Sequence, residues 1–226
     1  MRPLRKVATE WSVELAYAVG LLVSDGCLSK DGRHIDFTSK DLELIETFKK
    51  CLNLINIKTG YKSSGTGRLC PRVQFGDVNF YNFLLGLGLT PNKSKTLSNL
   101  TIPDNYFFDY LRGYFDGDGA TYSYWDKRWH SSYMFYLSFA CASLNHLEWL
   151  RAILYKLNGI RGRIGPGIRC YQLKFAKQES KILIERMFYS TNIPFLKRKF
   201  EKIKKILAIE NNHDKCPGGE TADSTA

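Results

Sequence analysis

Two aspartates stand at the ends of matched apolar runs: Asp25 closes LAYAVGLLVSDG (Leu15 to Gly26) and Asp118 closes FDYLRGYFDGDG (Phe108 to Gly119). Each acid is followed by a glycine, and another glycine, Gly20 or Gly113, lies five residues before it. A carboxylate at a helix C-terminus faces the negative end of the macrodipole, and two carboxylates brought close repel each other. A shared proton or a metal ion relieves that repulsion, and oxygen donors of this kind call for a hard divalent cation.

Positioning two such acids requires two helices packed side by side. Ala16, Val19, Gly20 and Val23 recur at helical spacing in the first run, and Phe108, Leu111 and Tyr114 or Phe115 do so in the second. Small residues on that stripe allow close backbone approach. Gly26 and Gly119 suit the left-handed position that ends a helix, which puts Asp25 and Asp118 on the last turn. Asp-Gly is a common turn signal, and either copy alone reads as an ordinary core helix. Two copies with the same glycine-to-acid spacing point to a tandem duplication with a function.

The chain has 226 residues, 44% of them hydrophobic, enough for one domain or two small ones. A formal charge of +11 and a pI near 9.3 suggest a polyanionic partner, most readily a nucleic acid. No apolar run reaches the roughly 18 residues that cross a bilayer, and the N-terminus lacks a signal-peptide core; the expectation is a soluble intracellular protein without a membrane partner. Six dispersed cysteines (Cys27, Cys51, Cys70, Cys141, Cys170, Cys216) form no Cys-x-x-Cys pair and read as reduced thiols.

Residues 1–10 form a basic N-terminal arm with Arg2, Arg5 and Lys6, and two repeats follow at 11–103 and 104–210. In the first, Ile35 and Phe37 alternate with His34, Asp36 and Thr38 beyond a turn at 30–33. Residues 41–54 read as a helix capped from Ser39, and a second hairpin turns at 65–67, after which Val73 and Phe75 alternate with Arg72 and Gln74. In the second repeat Leu137 and Phe139 match Ile35 and Phe37, and a hairpin turning at Gly165-Pro166-Gly167 brings Leu173 and Phe175 into the places of Val73 and Phe75. The Tyr122, Tyr124, Trp125, Trp129 stretch reads as packing, His130 and His146 as surface residues, and the polar 211–226 stretch as a disordered tail. The fold class is therefore α+β: tandem αββαββα repeats related by a pseudo-twofold axis, with two antiparallel sheets, each holding one polar face free. Alternation makes His34, Asp36, Thr38, Lys58, Lys62, Arg68, Arg72 and Gln74 candidates for base and phosphate contacts in the first half, and Tyr136, Ser138, Arg161, Arg163, Gln172 and Lys174 in the second.

AVGLLVSDG and LRGYFDGDG resemble the paired motifs of the LAGLIDADG homing endonucleases in their single-chain form. The sixth position departs between the copies, Val23 in one and Asp116 in the other, while the acid of the eighth position stands in both. The resemblance implies a saddle of two sheets lying in the DNA major groove, and a monomeric enzyme making metal-dependent double-strand breaks at a long site, intron-encoded. It implies Asp25 and Asp118 as catalytic metal ligands, joined by the backbone carbonyls of Ser24 and Gly117. The cofactor implied is Mg²⁺, with Mn²⁺ or Ca²⁺ able to take the same place. PFLKRK resembles the family segment that carries a catalytic lysine, pointing to Lys199 and, in PNKSK, to Lys95; the spacing from Pro194 and Pro91 differs by one residue, so Lys197 and Lys93 stay open. Two other activities fit the same motifs: an RNA maturase acting on host intron RNA, and a non-catalytic DNA-binding regulator.

Overall fold

The computed structural model describes residues 6–63, 67–129 and 132–214. The first half runs α1 (Val13–Asp25), β1 (Gly26–Leu28), β2 (His34–Thr38), α2 (Leu42–Cys51), β3 (Gly60–Ser63), β4 (Leu69–Gly76) and α3 (Val78–Gly86). The second repeats it as α4 (Phe107–Asp118), β5 (Gly119–Trp125), β6 (Tyr133–Cys141), α5 (Leu144–Asn158), β7 (Arg163–Pro166), β8 (Tyr171–Phe175) and α6 (Lys177–Met187), followed by α7 (Lys197–Asp214). The strands form two antiparallel four-stranded sheets, ordered β1-β2-β4-β3 and β5-β6-β8-β7. The αββαββα order thus occurs twice.

Local chemistry explains the element boundaries. Ser12 caps α1, its hydroxyl accepting from the Leu15 N–H at 3.1 Å. Asp77 caps α3 through one oxygen, accepting from the Phe80 N–H at 2.9 Å. Its other oxygen accepts from the Lys6 and Val7 N–H groups at 2.6 and 3.0 Å, which anchors the end of the N-terminal arm. Arg2 and Arg5 of that arm lie outside the described residues. The α2 helix starts at Leu42 with Asp41 at the cap position, while Ser39 accepts from the Asp41 N–H instead of capping the helix directly.

The core lies between the sheets and the helices. Ile35, Phe37, Val73 and Phe75 are buried beneath one sheet, and Leu137, Phe139, Leu173 and Phe175 beneath the other. Each such side chain contributes about 1.5–3 kcal/mol of hydrophobic stabilisation. Between the halves α1 packs on α4 at a distance only glycine permits: a Cβ at Gly20 would stand 2.1 Å from the Tyr110 carbonyl oxygen, and one at Gly113 2.0 Å from that of Tyr17.

Four sequence expectations need correction. The last hairpin turns at 167–170, not at 165–167: Arg169 takes a positive φ of 58°, the Gly167 N–H donates to the Cys170 carbonyl, and Gly165 and Pro166 stay in β7. Helix α7 continues through 211–214, because Glu210 is fully buried between the ammonium groups of Lys177 and Lys181 and ties the helix end to α6; the rest of the expected tail lies outside the described residues. His146 is fully buried, with Nδ1 2.8 Å from the Ser98 carbonyl and Nε2 3.3 Å from the Tyr110 hydroxyl, and burial lowers its pKa to about 4. His130 lies outside the described residues. The fourth correction concerns Gly26 and Gly119, whose φ angles of −84° and −81° are extended, not left-handed. Space explains them: a Cβ at Gly26 would meet the Leu22 carbonyl at 2.5 Å, and one at Gly119 would meet the Phe115 ring at 2.2 Å.

Candidate active site and nucleic-acid interface

Asp25 and Asp118 are the last residues of α1 and α4, the helix pair that joins the two halves. The pair stays close to its end: a Cβ at Gly117 would lie 1.8 Å from the Ser24 hydroxyl and 3.6 Å from Asp25 Oδ2. Both carboxylates reach solvent on their outer side, but the protein behind them removes hydration. That desolvation, followed by the negative charge of Asp118, pushes Asp25 up to about 6, against the opposing pull of Lys93, Lys199 and Lys40. Desolvation raises Asp118 as well, opposed by Lys93 and Lys199.

Each acid-bearing helix end is met by one lysine. Lys93 Nζ donates to the carbonyls of Ser24 (3.3 Å) and Gly26 (2.7 Å); Lys199 Nζ donates to those of Phe115 (2.6 Å), Gly117 (3.2 Å) and Gly119 (2.6 Å). Cations there satisfy orphan carbonyls and face the negative end of each dipole. Burial lowers both ammonium pKa values, that of Lys199 to about 8. In the first half the lysine at the acids is therefore Lys93, not Lys95, which is exposed. The cause is a tight turn after Asn92 (φ 59°), in which the Thr96 and Leu97 N–H groups donate to the Lys93 carbonyl and turn the side chain of Lys93 inward. Lys197 is exposed at the start of α7.

The donors at the helix ends, two carboxylates and the Ser24 and Gly117 carbonyls, are all oxygens and suit a hard divalent ion. Among the described residues no three His, Cys, Asp or Glu side chains converge, so a full coordination shell needs oxygens from a bound phosphate or water as well. Beside Asp25 and Gly117 opens a cavity of about 290 Å³ of mixed charge, lined by Thr38, Ser39 and Lys40, by Asp41 with its ion-paired Arg198, and by Asp116.

The strand register tests which polar candidates share a face. In the first sheet Asp36 pairs with Gln74 and with Cys27, and Thr38 pairs with Arg72, placing these side chains opposite the core. Asp36 is almost fully buried, ion-paired to Arg72 and accepting from the Thr38 hydroxyl at 3.0 Å; its carboxylate is engaged in orienting Arg72. His34 is held by Asp31 at 2.5 Å at the turn end of β2. Lys62 is exposed on β3, and Lys58 and Arg68 are exposed just before β3 and β4. In the second sheet Ser138, Lys174 and Arg163 align across three strands, Gln172 pairs with Ala140, and Tyr136 pairs with Tyr122. Ser138 is nearly buried, donating to the Ala120 carbonyl at 3.3 Å. Arg161 departs from this face: its guanidinium lies 4.6 Å from the Tyr155 ring centre and donates to the Tyr155 hydroxyl, against α5.

Sequence reasoning missed Tyr122 and Tyr124 as members of the polar face. They stack with Tyr136 at centroid distances of 5.0 and 6.2 Å, both nearly parallel, beside a cavity of about 600 Å³ that Arg163 and Lys174 also line. The alternation from Ala120 onward carried that signal, since every second residue shares a face.

The model of the LAGLIDADG-like domain family matches residues 12–88. No curated protein matches the chain significantly. Among solved structures, full-length DUF199/WhiA from Thermatoga maritima superposes with a TM-score of 0.58 at 16% identity, over 92% of this chain; the chain spans only 63% of that protein. The homing endonuclease I-WcaI bound to its DNA recognition sequence gives 0.60 at 15% identity, covering 87% of this chain and 88% of that one. I-DmoI in complex with DNA and Mn gives 0.50 at 16% identity, covering 80% and 98%. At these identities the likeness is one of fold, and it extends over both halves. The LAGLIDADG-like domain model thus covers the first half, the likeness of fold extends across the whole chain, and each repeat carries an Asp-terminated helix at the corresponding place.

Proposed function

We propose that this protein is a site-specific DNA endonuclease that makes divalent-metal-dependent double-strand breaks at a long recognition site, acts as a monomer and is intron-encoded. One observation carries the reading: Asp25 and Asp118 close two helices packed at glycine distance, and each helix end holds its own lysine, the buried Lys93 or the half-buried Lys199. Two equivalent centres in one chain match two strands of one duplex.

In this reading the two sheet faces bind double-stranded DNA. Arg72, Gln74, Lys62, Arg163, Gln172 and Lys174 present hydrogen-bonding groups to base edges and phosphates, and the +11 charge favours association with the polyanion. Asp25 and Asp118, with the Ser24 and Gly117 carbonyls, would hold Mg²⁺, which when bound lowers the pKa of an attacking water and neutralises charge on the departing oxygen. The chain's own residues do the rest. Lys93 and Lys199 set positive charge beside the scissile phosphates, and their carbonyl anchors fix the ammonium groups before substrate arrives. In the space beside Asp25, Lys40 and the Thr38 and Ser39 hydroxyls would meet a phosphate, while Arg198 is held by Asp41. The published complex of I-DmoI with DNA and Mn lends support by analogy of fold.

The experiment is to incubate the purified protein with Mg²⁺ and a library of intron-free alleles of candidate host genes, then sequence the ends. Discrete ends with short 3′ overhangs support the endonuclease. Tight duplex binding without any cut would favour the regulator, and preferential binding of structured intron RNA would favour the maturase.

A further inference from the structure

The second motif carries two buried charged residues, Arg112 and Asp116, where the first carries Val19 and Val23. Buried charges add little net stability over well-packed apolar residues, and the first copy manages without them. Their partners reveal a different use. Arg112 has no exposed surface; its Nε donates to the Pro194 carbonyl (2.8 Å), Nη1 to that of Met187 (2.7 Å) and Nη2 to Asp109 (2.7 Å). Asp116 Oδ2 accepts from the Tyr17 hydroxyl and from the Leu196 N–H, both at 2.7 Å, while Oδ1 is buried without a partner.

Pro194, Met187 and Leu196 belong to, or border, the connection between α6 and α7. Leu196 links the two: its carbonyl accepts from the Lys199 and Phe200 N–H groups at 3.1 Å, starting the helix that carries Lys199. Lys93 needs no such connection, since its backbone carbonyl closes its own tight turn. Resting on the endonuclease reading above, we propose that Arg112 and Asp116 are positioning residues for Lys199: they clamp the α6–α7 connection to the motif helix, and one of the two cleavage centres depends on that clamp while the other does not. Loosening the clamp converts a double-strand cutter into a strand-selective nicking enzyme.

The test is strand-resolved cleavage of a cognate duplex labelled separately on each strand, with Lys199→Met identifying the strand that this lysine serves. Asp116→Val, which installs the first copy's residue type, slows that strand about tenfold or more, since small misplacements of a catalytic group are costly. The other strand stays within about twofold and nicked product accumulates. Asp116→Asn keeps both rates within about threefold of wild type, because a single amide oxygen can take both hydrogen bonds now made by Oδ2. A merely structural role would slow both strands together. Equal loss on both strands, nicking of the opposite strand, or unchanged rates in Asp116→Val would each overturn the inference. A wild-type protein that cuts neither strand defeats the endonuclease reading instead. The clamp then stands or falls on amide exchange in the unmodified protein, which also serves if Asp116→Val does not fold: Leu196 N–H exchanging as slowly as the core of α4 supports it, and exchange as fast as in the exposed Lys95 turn overturns it.

Discussion

Gly20 and Gly113 are reciprocal: each meets the main chain of the other's helix so closely that a single added carbon would stand 2.1 or 2.0 Å from a carbonyl oxygen. That contact sets the separation of α1 and α4 and, through them, of Asp25 and Asp118. Gly20→Ala or Gly113→Ala forces the helices apart and is expected to cost about 3 kcal/mol, near the upper end for overpacking because backbone cannot yield like a side chain. Chemical denaturation checks this. A loss under about 0.5 kcal/mol would mean that the helices pack less closely than described.

Lys93 and Lys95 give a sharp contrast within one short turn. Lys93→Met removes the positive charge at the Asp25 helix end and should slow cutting of one strand by about 100-fold or more. Lys95→Met, on the surface, should stay within about twofold. Single-turnover rates on each labelled strand decide between them.

The shifts of Asp25 to about 6 and of Lys199 to about 8 imply a bell-shaped pH profile at limiting metal. As pH falls through 6, Asp25 gains a proton and loses its capacity to hold a cation; as pH rises through 8, Lys199 loses its charge. Raising Mg²⁺ should move the acid limb to lower pH, because metal and proton compete for the same oxygen. An acid limb insensitive to Mg²⁺ would remove Asp25 from the metal site. The stability sign follows the same logic: the folded-state pKa of Lys199 lies below its ordinary 10.5, so this group's contribution to stability increases between pH 8 and 10.5.

Recognition should divide according to face. Arg72→Ala is expected to weaken duplex binding by about 1–3 kcal/mol and to relax preference at one base position. Asp36→Ala should reproduce part of that loss by freeing Arg72. Arg161→Ala, turned against Tyr155, should leave the preference profile unchanged. Binding to a randomised-site library measures all three.

Much of this was legible in the sequence. The duplicated run, its glycines and its terminal acids announced two close-packed helices because helical periodicity and a missing Cβ are local properties. The αββαββα order and the inward residues Ile35, Phe37, Leu137 and Phe139 followed from periods of 3.6 and 2. What escaped depends on contacts between distant segments. Lys93 could not be separated from Lys95 without the Asn92 turn, nor Arg161 from Arg163 without Tyr155 beside it. Asp36 read as a base-contacting acid because its ion pair with Arg72 forms across strands 36 residues apart in the chain. His146 looked like a surface residue because its partners, Ser98 and Tyr110, come from elsewhere in the fold.

The central claim is that Asp25 and Asp118 carry the chemistry. The direct measurement is double-strand cutting of the cognate duplex with Mg²⁺ by wild type, Asp25→Asn and Asp118→Asn, beside duplex affinity measured in Ca²⁺. The account predicts that either substitution abolishes double-strand cutting while affinity for the duplex is retained. Full double-strand cutting by the variant carrying both substitutions would contradict it.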